Sequence, residues 1–519
     1  MNPIELNLFS SRITAVCDEM GTVLRRTAFS PNIKDRLDFS CAVFDPEGEL
    51  CAQAAHIPIH LGSMAFAMVS IVTEVDWCAG DMLVLNDPFL GGTHLPDVTL
   101  VAPVFDQERE TLLGFVANRA HHADIGCDSP GSMPISKTLE DEGRIIPPTF
   151  LYRQGELQKP ALQLMTGEEN SALDTDYAAQ FSANQIGVLR LIEFVKDLGV
   201  EAYLQSLTEL NNYGERLASS IIKGLEPGSY SFEDVMDDDG VGSVDIPIAV
   251  TLTIDNDSVV LDFNNSAKQV DGNLNCPISV AAAAAYYCFR CLMPEFTPAC
   301  AGTFRMIEIV ADQGTIVNAK RPAAVAAGNV ETSTRLVDVI LGALAQAVPE
   351  KIPAASQGSM NNVAMGYIDN RRGKRWDYYE TLAGGTGGGP RYAGLNAVHS
   401  HMTNTLNTPI ESVEMHYPLR IRRYAILPGT GGSGHHRGGN GLIREYEFLE
   451  DAHLSLLTER RRHPAWGLAG GSSGAKGINK LNGEEIPGKC SLRVKAGDRL
   501  QIQTPGGGGF GADSNKPEV

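Results

Sequence analysis

Long apolar runs are missing from this sequence. A membrane-spanning helix needs about 20 consecutive apolar residues, and the closest stretch, VAAAAAYYCFRCLM, is short and interrupted by Arg290. The first residues, MNPIELNLFSSR, include an acid at Glu5 and lack the basic start and apolar stretch of a secretory signal. We therefore expect a cytoplasmic protein with no membrane association.

Basic side chains and cysteines are also scarce. The 42 Lys and Arg residues are outnumbered by 63 Asp and Glu, which gives a formal net charge of −21 at pH 7. Such a balance disfavours binding to phosphate backbones, so we exclude nucleic acid as a partner. The ten cysteines include one C-x-x-C pair, Cys288 and Cys291, without the second pair that a structural zinc site needs. We interpret the cysteines as packing residues of a reducing compartment.

A nucleotide-binding motif is absent as well, although the 53 glycines concentrate after Gly384. Gly429, Gly431 and Gly434 match G-x-G-x-x-G, but HHRGGNG follows instead of the helix that a dinucleotide fingerprint requires. The stretch GGTGGGP lacks the Lys-Ser/Thr of a P-loop. We predict that this chain does not bind ATP by itself, and that its glycines serve positive φ angles or close backbone contacts.

The periodicity of the apolar residues predicts an α+β fold, with mixed sheets flanked by helices and a Gly-rich β-containing C-terminal region. Strand patterns include a hairpin in LDFSCAVFDPEGELCAQAA, the strands DMLVLNDPF and DVTLVAPVF, and a hairpin in IPIAVTLTIDNDSVVLDF. Helices are predicted at 3–28, 180–224, 278–293 and 331–347.

The length of 519 residues favours more than one domain. We divide the chain into an N-terminal α+β region at 1–225, a central hairpin and helix region at 226–330, and a C-terminal helix and Gly-rich β region at 331–519. The basic run 460–462 is expected on a solvated face or at a subunit contact.

The stretch GGTHLPDVTL places His94 three residues before Asp97, at the start of a predicted strand. Pro96 argues against a helix there, whereas a turn can bring the two side chains to one point. Imidazole and carboxylate groups together are typical ligands of catalytic zinc, manganese or iron. The alternative is that each histidine is an ordinary hydrogen-bonded core or surface residue.

Three further candidates, His121, His122 and Asp124, stand together in NRAHHADIG, and a fourth, Asp38, stands in KDRLDFS. Adjacent histidines in an extended chain point in opposite directions, so at most one of His121 and His122 is a metal ligand. Strand ends of this kind commonly carry functional sites on a rigid scaffold. The N-terminal region is therefore predicted to carry the metal site.

The motifs RRTAFSPNIKDRLDFSCAVFDPEGELCAQAAHIPIHLGSM, NDPFLGGTHLPDVTL, NRAHHADIG, GNVETSTRLVDV, HSHMTNTLNTPIESVE and WGLAGG occur in this order. Together they resemble the hydantoinase B/oxoprolinase family over nearly the whole chain. The resemblance implies a B subunit of an ATP-dependent hydrolase of cyclic amides such as hydantoins, lactams or 5-oxoproline. It also implies a hydantoinase A-type ATPase partner, which binds ATP and Mg²⁺ and phosphorylates the ring carbonyl, in an (AB)₂ or larger heteromer.

The family's metal site falls on His94, Asp97 and His121, with Asp38 as a fourth ligand or orienting carboxylate. The resemblance thus implies a divalent transition metal, with zinc or manganese favoured and iron as a further candidate. Asp124 is expected beside the ligands as a proton acceptor, and Asp38, Asp124 and His122 are the catalytic candidates.

Two other functions remain open at this point. Ketone carboxylases of the acetone and acetophenone type have related subunits, and they differ in requiring bicarbonate. A non-catalytic scaffold that only organises the ATPase subunit is the third hypothesis, which loss of the metal ligands would favour.

Overall fold

The helices pack with sheets of mostly antiparallel strands, which confirms the α+β class. A computed structural model describes residues 2–54, 56–167, 175–369 and 374–513. The α-helices are α1 (Pro3–Thr27), α2 (Pro31–Lys34), α3 (Pro58–Thr73), α4 (Lys159–Thr166), α5 (Thr175–Leu198), α6 (Val200–Ile222), α7 (Ile278–Arg290), α8 (Ser333–Ala347) and α9 (Ile410–His416). Within the described residues, no helix is both long and apolar enough to cross a bilayer.

Within the described ranges, the strands form four sheets. The strands are β1 (Phe39–Phe44), β2 (Leu50–Gln53), β3 (Met82–Leu85), β4 (Asp97–Phe105), β5 (Leu112–His121), β6 (Thr149–Arg153), β7 (Glu156–Leu157), β8 (Gly228–Asp238), β9 (Val244–Ile254), β10 (Val259–Asp262), β11 (Ile307–Val310), β12 (Asn362–Asp369), β13 (Lys374–Glu380), β14 (Leu419–Ile426), β15 (Leu442–Phe448), β16 (Ala452–Leu457), β17 (Ile478–Leu481), β18 (Glu484–Ile486), β19 (Lys489–Val494) and β20 (Arg499–Gln503). Their spatial orders are β2-β1-β5-β4-β3-β6-β7, β11-β10-β9-β8, β13-β12-β16-β19 and β14-β15-β20-β17-β18.

Each sheet takes its strands from one of the three predicted regions. The largest buried core crosses these boundaries, because it contains residues of all three regions, among them Ile57, Ala281, Leu336 and Leu457. The division at 225 and 330 therefore stays a prediction.

Helices α1 and α5 cover one side of the first sheet. The apolar residues of α1 recur at helical spacing, and Phe9, Ile13, Met20 and Leu24 are buried. Asn2 and the Glu5 side chain form a capping box at the first turn of α1. The predicted helix over 3–28 is thereby confirmed, and its buried face anchors the seven-stranded sheet.

The prediction of one helix over 180–224 is wrong in one respect. Two helices, α5 and α6, occupy this stretch, and Gly199 separates them with φ 89°. A left-handed φ stops an α-helix, and glycine adopts it without the steric cost that a Cβ imposes.

Helix α7 packs against both α3 and α8, and α8 also packs against β8 and β9 of the second sheet. Ala281–Ala285 of α7 are fully buried, which lets neighbouring helices approach closely. A Cβ on Gly62 of α3 would lie 2.5 Å from the Cα of Ala283. As a result, the first turn of α3 lies at the end of the first sheet. The π-helical turn at Gly328–Thr332, which precedes α8, lies there as well.

The glycine-rich segments of the C-terminal region pack backbone against backbone. The N–H of Gly507 donates to Gly439 O at 3.0 Å, and its carbonyl accepts the N–H of Gly432 at 2.9 Å. A Cβ on Gly507 would lie 2.0 Å from the carbonyl oxygen of Thr386. Close backbone contact, one of the two reasons expected from the sequence, thus accounts for this glycine.

Candidate metal centre

The register of three neighbouring strands brings Asp97, His121 and Asp38 to one edge of the first sheet. Asp97, the first residue of β4, lies directly opposite His121, the last residue of β5. Asp38 immediately precedes β1, and its carbonyl accepts the N–H of His121 at 3.1 Å. Because the strands are antiparallel, the starts of β1 and β4 meet the end of β5.

A tight turn before β4 adds His94 to this edge. The N–H of Asp97 donates to the carbonyl of His94 at 3.1 Å, which closes the turn around Pro96. The side chains then meet, with His94 Nε2 3.2 Å from Asp97 Oδ1. The structure therefore brings His94 and Asp97 together as the sequence predicts.

The cluster of His94, Asp97 and His121 has the composition and spacing of a metal site. One ligand-type atom from each residue lies within 4.8 Å of the others, and all three residues are buried. Asp97 Oδ1 is 3.3 Å from His121 Nδ1. His94 Nε2, Asp97 Oδ1 and His121 Nε2 are buried without a hydrogen-bond partner. Because buried polar atoms need partners, these residues fit a divalent ion with nitrogen and oxygen ligands.

The hydrogen bond on the far side of His94 supports the same interpretation. His94 Nδ1 lies 3.2 Å from the carbonyl of Ala326, and a carbonyl oxygen only accepts. Nδ1 therefore carries the ring proton in the neutral imidazole, and the lone pair of Nε2 faces Asp97. Metal-binding histidines typically have this arrangement.

The electrostatics of the cluster favour a cation between its members. Burial by itself would raise the pKa of Asp97, but the neighbouring His94, His60 and His121 side chains hold this pKa well below its usual range. Burial lowers the pKa of His121, which keeps this imidazole in the neutral form that binds metals.

The second oxygen of Asp97 has three polar neighbours. Thr93 Oγ1 donates to Asp97 Oδ2 at 2.7 Å, Asn329 Nδ2 donates at 3.3 Å, and His60 Nε2 lies at 3.3 Å. Neither His60 nor Asn329 is among the site residues predicted from the sequence. A histidine on an apolar helix is usually a core residue, and the signals available were the motifs HIPIH and GNVETSTRLVDV, which contain them.

Asp38 borders the cluster without joining it. Its Oδ1 is 3.9 Å from His60 Nε2, and its Oδ2 is 3.6 Å from Arg36. Arg36 is fully buried and also pairs with Glu380 at 3.2 Å. Together with Asp97 and His121, Asp38 lines a cavity of roughly 20 Å³, about the space that one water molecule needs.

Tyr379 of β13 covers the cluster and is a further residue that the sequence did not predict. Its ring stacks on His121 with centroids 4.9 Å apart and planes 8° apart. Its hydroxyl donates to Asn362 Oδ1 at 2.7 Å, which fixes the ring over the imidazole.

The other two candidates point elsewhere. His122 Nε2 lies 2.8 Å from Gln180 Oε1, and its ring stacks on Tyr177 at 4.2 Å, so it contacts α5. Asp124 Oδ1 accepts the N–H of Gly126 at 2.7 Å. The two adjacent histidines therefore contact different elements, as their alternation along an extended chain predicts.

Known proteins resemble this chain along its whole length. The model of the Hydantoinase B/oxoprolinase family matches residues 2–513. The chain is 38% identical to 5-oxoprolinase 1 of Arabidopsis thaliana over 98% of its own length, but it spans only 42% of that protein. It is 30% identical to the B subunit of a putative D-/L-hydantoinase from a Pseudomonas species, over 98% of this chain and 90% of the relative.

Two solved structures share the fold. The ATP-dependent caprolactamase from Pseudomonas jessenii superposes with a TM-score of 0.89 at 27% identity, over 99% of this chain and 91% of that chain. Nucleotide-free acetone carboxylase superposes with a TM-score of 0.86 at 20% identity, over 98% of this chain and 76% of that one, a similarity of fold alone. By its sequence and its fold, this chain belongs to the hydantoinase B/oxoprolinase family.

Proposed function

We propose that this chain is the catalytic B subunit of an ATP-dependent hydrolase of cyclic amides. Its substrate is a hydantoin, a lactam or a 5-oxoproline-type ring that a partner ATPase subunit activates by phosphorylation. The observation that carries the proposal is the buried cluster of His94, Asp97 and His121 with its partnerless ligand atoms. The relatives named as 5-oxoprolinase, hydantoinase and caprolactamase support the substrate class.

The chemistry explains why two subunits are needed. Amide resonance protects a small ring from attack by water, and phosphorylation of the carbonyl oxygen makes the ring carbon electrophilic. A divalent ion, when bound, polarises the substrate oxygen and lowers the pKa of a water molecule from 15.7 towards about 7. Zinc or manganese suits the nitrogen and oxygen donors of this cluster, and iron is a further candidate.

The side chains divide this work between them. His94, Asp97 and His121 hold the ion, and Asp38 acts as a fourth ligand or as the carboxylate that orients water and accepts its proton. Asp38 suits this role because it lines the cavity beside the cluster. For His122 and Asp124 a catalytic role stays a prediction, since their side chains contact Gln180 and Gly126.

The partner in this proposal is a hydantoinase A-type ATPase subunit. Support comes from the Pseudomonas relative, which is named as the B subunit of a hydantoinase and whose length this chain nearly spans. ATP and Mg²⁺ bind to that partner, and the assembly is an (AB)₂ or larger heteromer. Light scattering of the co-expressed pair is expected to exceed the mass of one A and one B subunit.

The test is co-expression with an A-type ATPase subunit, followed by a screen of hydantoins, lactams and 5-oxoproline with ATP. Ring-opened product that needs ATP and both subunits supports the proposal. Its absence for every ring, with a stable and metal-loaded complex in hand, contradicts the hydrolase assignment.

A ketone carboxylase is the alternative, to which the fold of acetone carboxylase lends support. The same complex separates the two functions when ketones replace the cyclic amides. ATP turnover that requires bicarbonate together with a ketone favours the carboxylase, whereas turnover with a lactam and no bicarbonate favours the hydrolase.

A further inference from the structure

The two oxygens of Asp97 have opposite surroundings. Oδ2 is approached by Thr93 Oγ1 at 2.7 Å, Asn329 Nδ2 at 3.3 Å and His60 Nε2 at 3.3 Å. Oδ1 has no hydrogen-bond partner and lies 3.2 Å from His94 Nε2. One oxygen is thus surrounded by donors, and the other is left to the cluster.

A second contact orients His60 for this task. Ser40 Oγ accepts the N–H of Ile57 at 3.2 Å and lies 3.3 Å from His60 Nδ1. The serine hydroxyl can donate its own proton to Nδ1, which makes Nδ1 the acceptor of this contact. The ring proton of neutral His60 then sits on Nε2, where it can be donated to Asp97.

We propose that Thr93, His60 and Asn329 are positioning residues that force Asp97 to bind the metal through Oδ1 alone. This inference rests on the metal site in the proposed function. A carboxylate that uses both oxygens occupies two coordination positions, whereas a single oxygen leaves one more position for water or substrate. Catalytic sites need such an open position.

The three positioning residues come from separate parts of the chain. Thr93 lies in the turn before β4, His60 in the first turn of α3, and Asn329 in the π-helical turn Gly328–Thr332. Each is nearly or fully buried, so water does not compete for these hydrogen bonds. Short π-helical turns occur frequently at functional sites. The converging donors give Asp97 an orientation that one element alone could not enforce.

The experiment measures metal binding rather than turnover. Zn²⁺ affinity is determined by chelator competition for the wild type and for Thr93→Val, His60→Phe and Asn329→Leu, and the visible spectrum of the Co²⁺-loaded protein reports the coordination. Partners that orient metal ligands typically contribute ten- to one-hundred-fold in metal affinity, so each variant is expected to weaken Zn²⁺ binding by about this factor. The Co²⁺ spectrum should change along with the affinity.

Two further variants separate positioning from general stability. Thr93→Ser keeps the hydroxyl and is expected to retain wild-type affinity and spectrum. Thr303→Val removes another buried hydroxyl, which donates to Cys300 O at 2.7 Å away from the cluster, and should lower only stability.

The outcomes distinguish the two proposals. A wild type that binds Zn²⁺, together with folded Thr93→Val, His60→Phe and Asn329→Leu variants of unchanged affinity and Co²⁺ spectrum, overturns the positioning role alone. A folded wild type that binds neither Zn²⁺ nor Co²⁺ overturns the metal site and the positioning role together.

Discussion

At the scale of single residues, the cluster lowers the stability of the folded protein unless a cation binds to it. Burial deprives Asp97 Oδ1 and His94 Nε2 of water, and no group of the described residues forms a hydrogen bond with either atom in its place. An unpaired buried polar group costs about 1–3 kcal/mol. These side chains therefore serve metal binding rather than the stability of the fold. Replacing one of them should leave the protein folded.

Replacing one ligand is therefore expected to abolish metal binding and product formation but not folding. His94→Ala and His121→Ala should purify without the ion, with product formation at least about 100-fold lower and circular dichroism unchanged. Elemental analysis and the coupled assay measure both effects. The control is His416→Ala, which removes an exposed imidazole from α9. A metal-free wild type that is active, or a His121→Ala variant that keeps both metal and activity, contradicts the assignment.

A carboxyl group away from the cluster links stability to pH. Asp45 is buried in the turn between β1 and β2, where its Oδ1 accepts the N–H of Glu47 at 3.1 Å and of Glu49 at 2.8 Å. Burial, with the nearby charges of Glu47 and Glu49, raises the pKa of Asp45 to about 7. Because the folded chain binds this proton more tightly than the unfolded chain, Asp45 favours unfolding increasingly as pH rises from about 4 to about 7.

Asp45→Asn tests this effect because asparagine preserves the acceptor and does not titrate. The variant should match the wild type at and below about pH 4, gain stability over it as the pH rises to about 7, and exceed it by on the order of a few kcal/mol near about pH 8. Thermal unfolding of both proteins across this range measures the difference, and the other titrating groups cancel between them. Parallel curves would show that Asp45 titrates normally.

At the scale of elements, the glycine-rich segments pack through their backbones rather than through side chains. The stretch around Gly507 lies against the backbones at Thr386, Gly432 and Gly439, with hydrogen bonds between the segments. Backbone atoms cannot move aside as a flexible side chain can. Glycine is required here by contact rather than by turn geometry.

Gly507→Ala should therefore destabilise the protein strongly. Its Cβ would lie 2.0 Å from Thr386 O, and overpacking of a tight contact costs about 1–3 kcal/mol or more. Chemical denaturation measures the loss. Gly224→Ala is the matched control, because the nearest atom to its Cβ is a carbonyl oxygen 3.3 Å away. Equal losses for the two variants would contradict this account of the glycine segments.

At the scale of the whole molecule, buried ion pairs join the central and C-terminal regions. Arg460 contacts Asp234 of β8 at 2.8 Å and Asp338 of α8 at 2.7 Å. Arg335 of α8 contacts Asp234 at 3.5 Å and Glu459 at 3.2 Å, and the side chains of Arg335 and Glu459 are fully buried. The expectation of a solvated face or subunit contact for the basic run is therefore wrong for Arg460. The basic run 460–462 is evident in the sequence, but the carboxylates that pair with Arg460 are distant from it in sequence.

Lys489→Met probes this network. Lys489 pairs with Glu459, and both side chains are inaccessible to solvent. Removing one partner of a buried pair typically costs about 3–5 kcal/mol, because the remaining charge stays desolvated. Lys476→Met, at an exposed position, should leave the unfolding temperature unchanged. If both variants melt at the wild-type temperature, the pair of Lys489 and Glu459 does not stabilise the fold.

The local pattern of the sequence was sufficient to predict part of this structure. Apolar residues at helical spacing predicted α1, and the Asp-Pro-Glu-Gly turn predicted the hairpin of β1 and β2, since both depend on neighbours only a few residues away. The turn through Pro96 likewise predicted that His94 and Asp97 would meet. The ordered motifs together were enough to predict the family.

Tertiary structure alone decided what surrounds the cluster. His60 and Asn329 reach Asp97 because α3 and α8 both pack against α7, and no periodicity within either segment predicts this contact. His121 and His122 are adjacent in sequence, yet one contacts Asp97 and the other contacts α5. Local propensities act over a few residues, whereas the contacts that complete this site depend on the burial of apolar faces from distant segments.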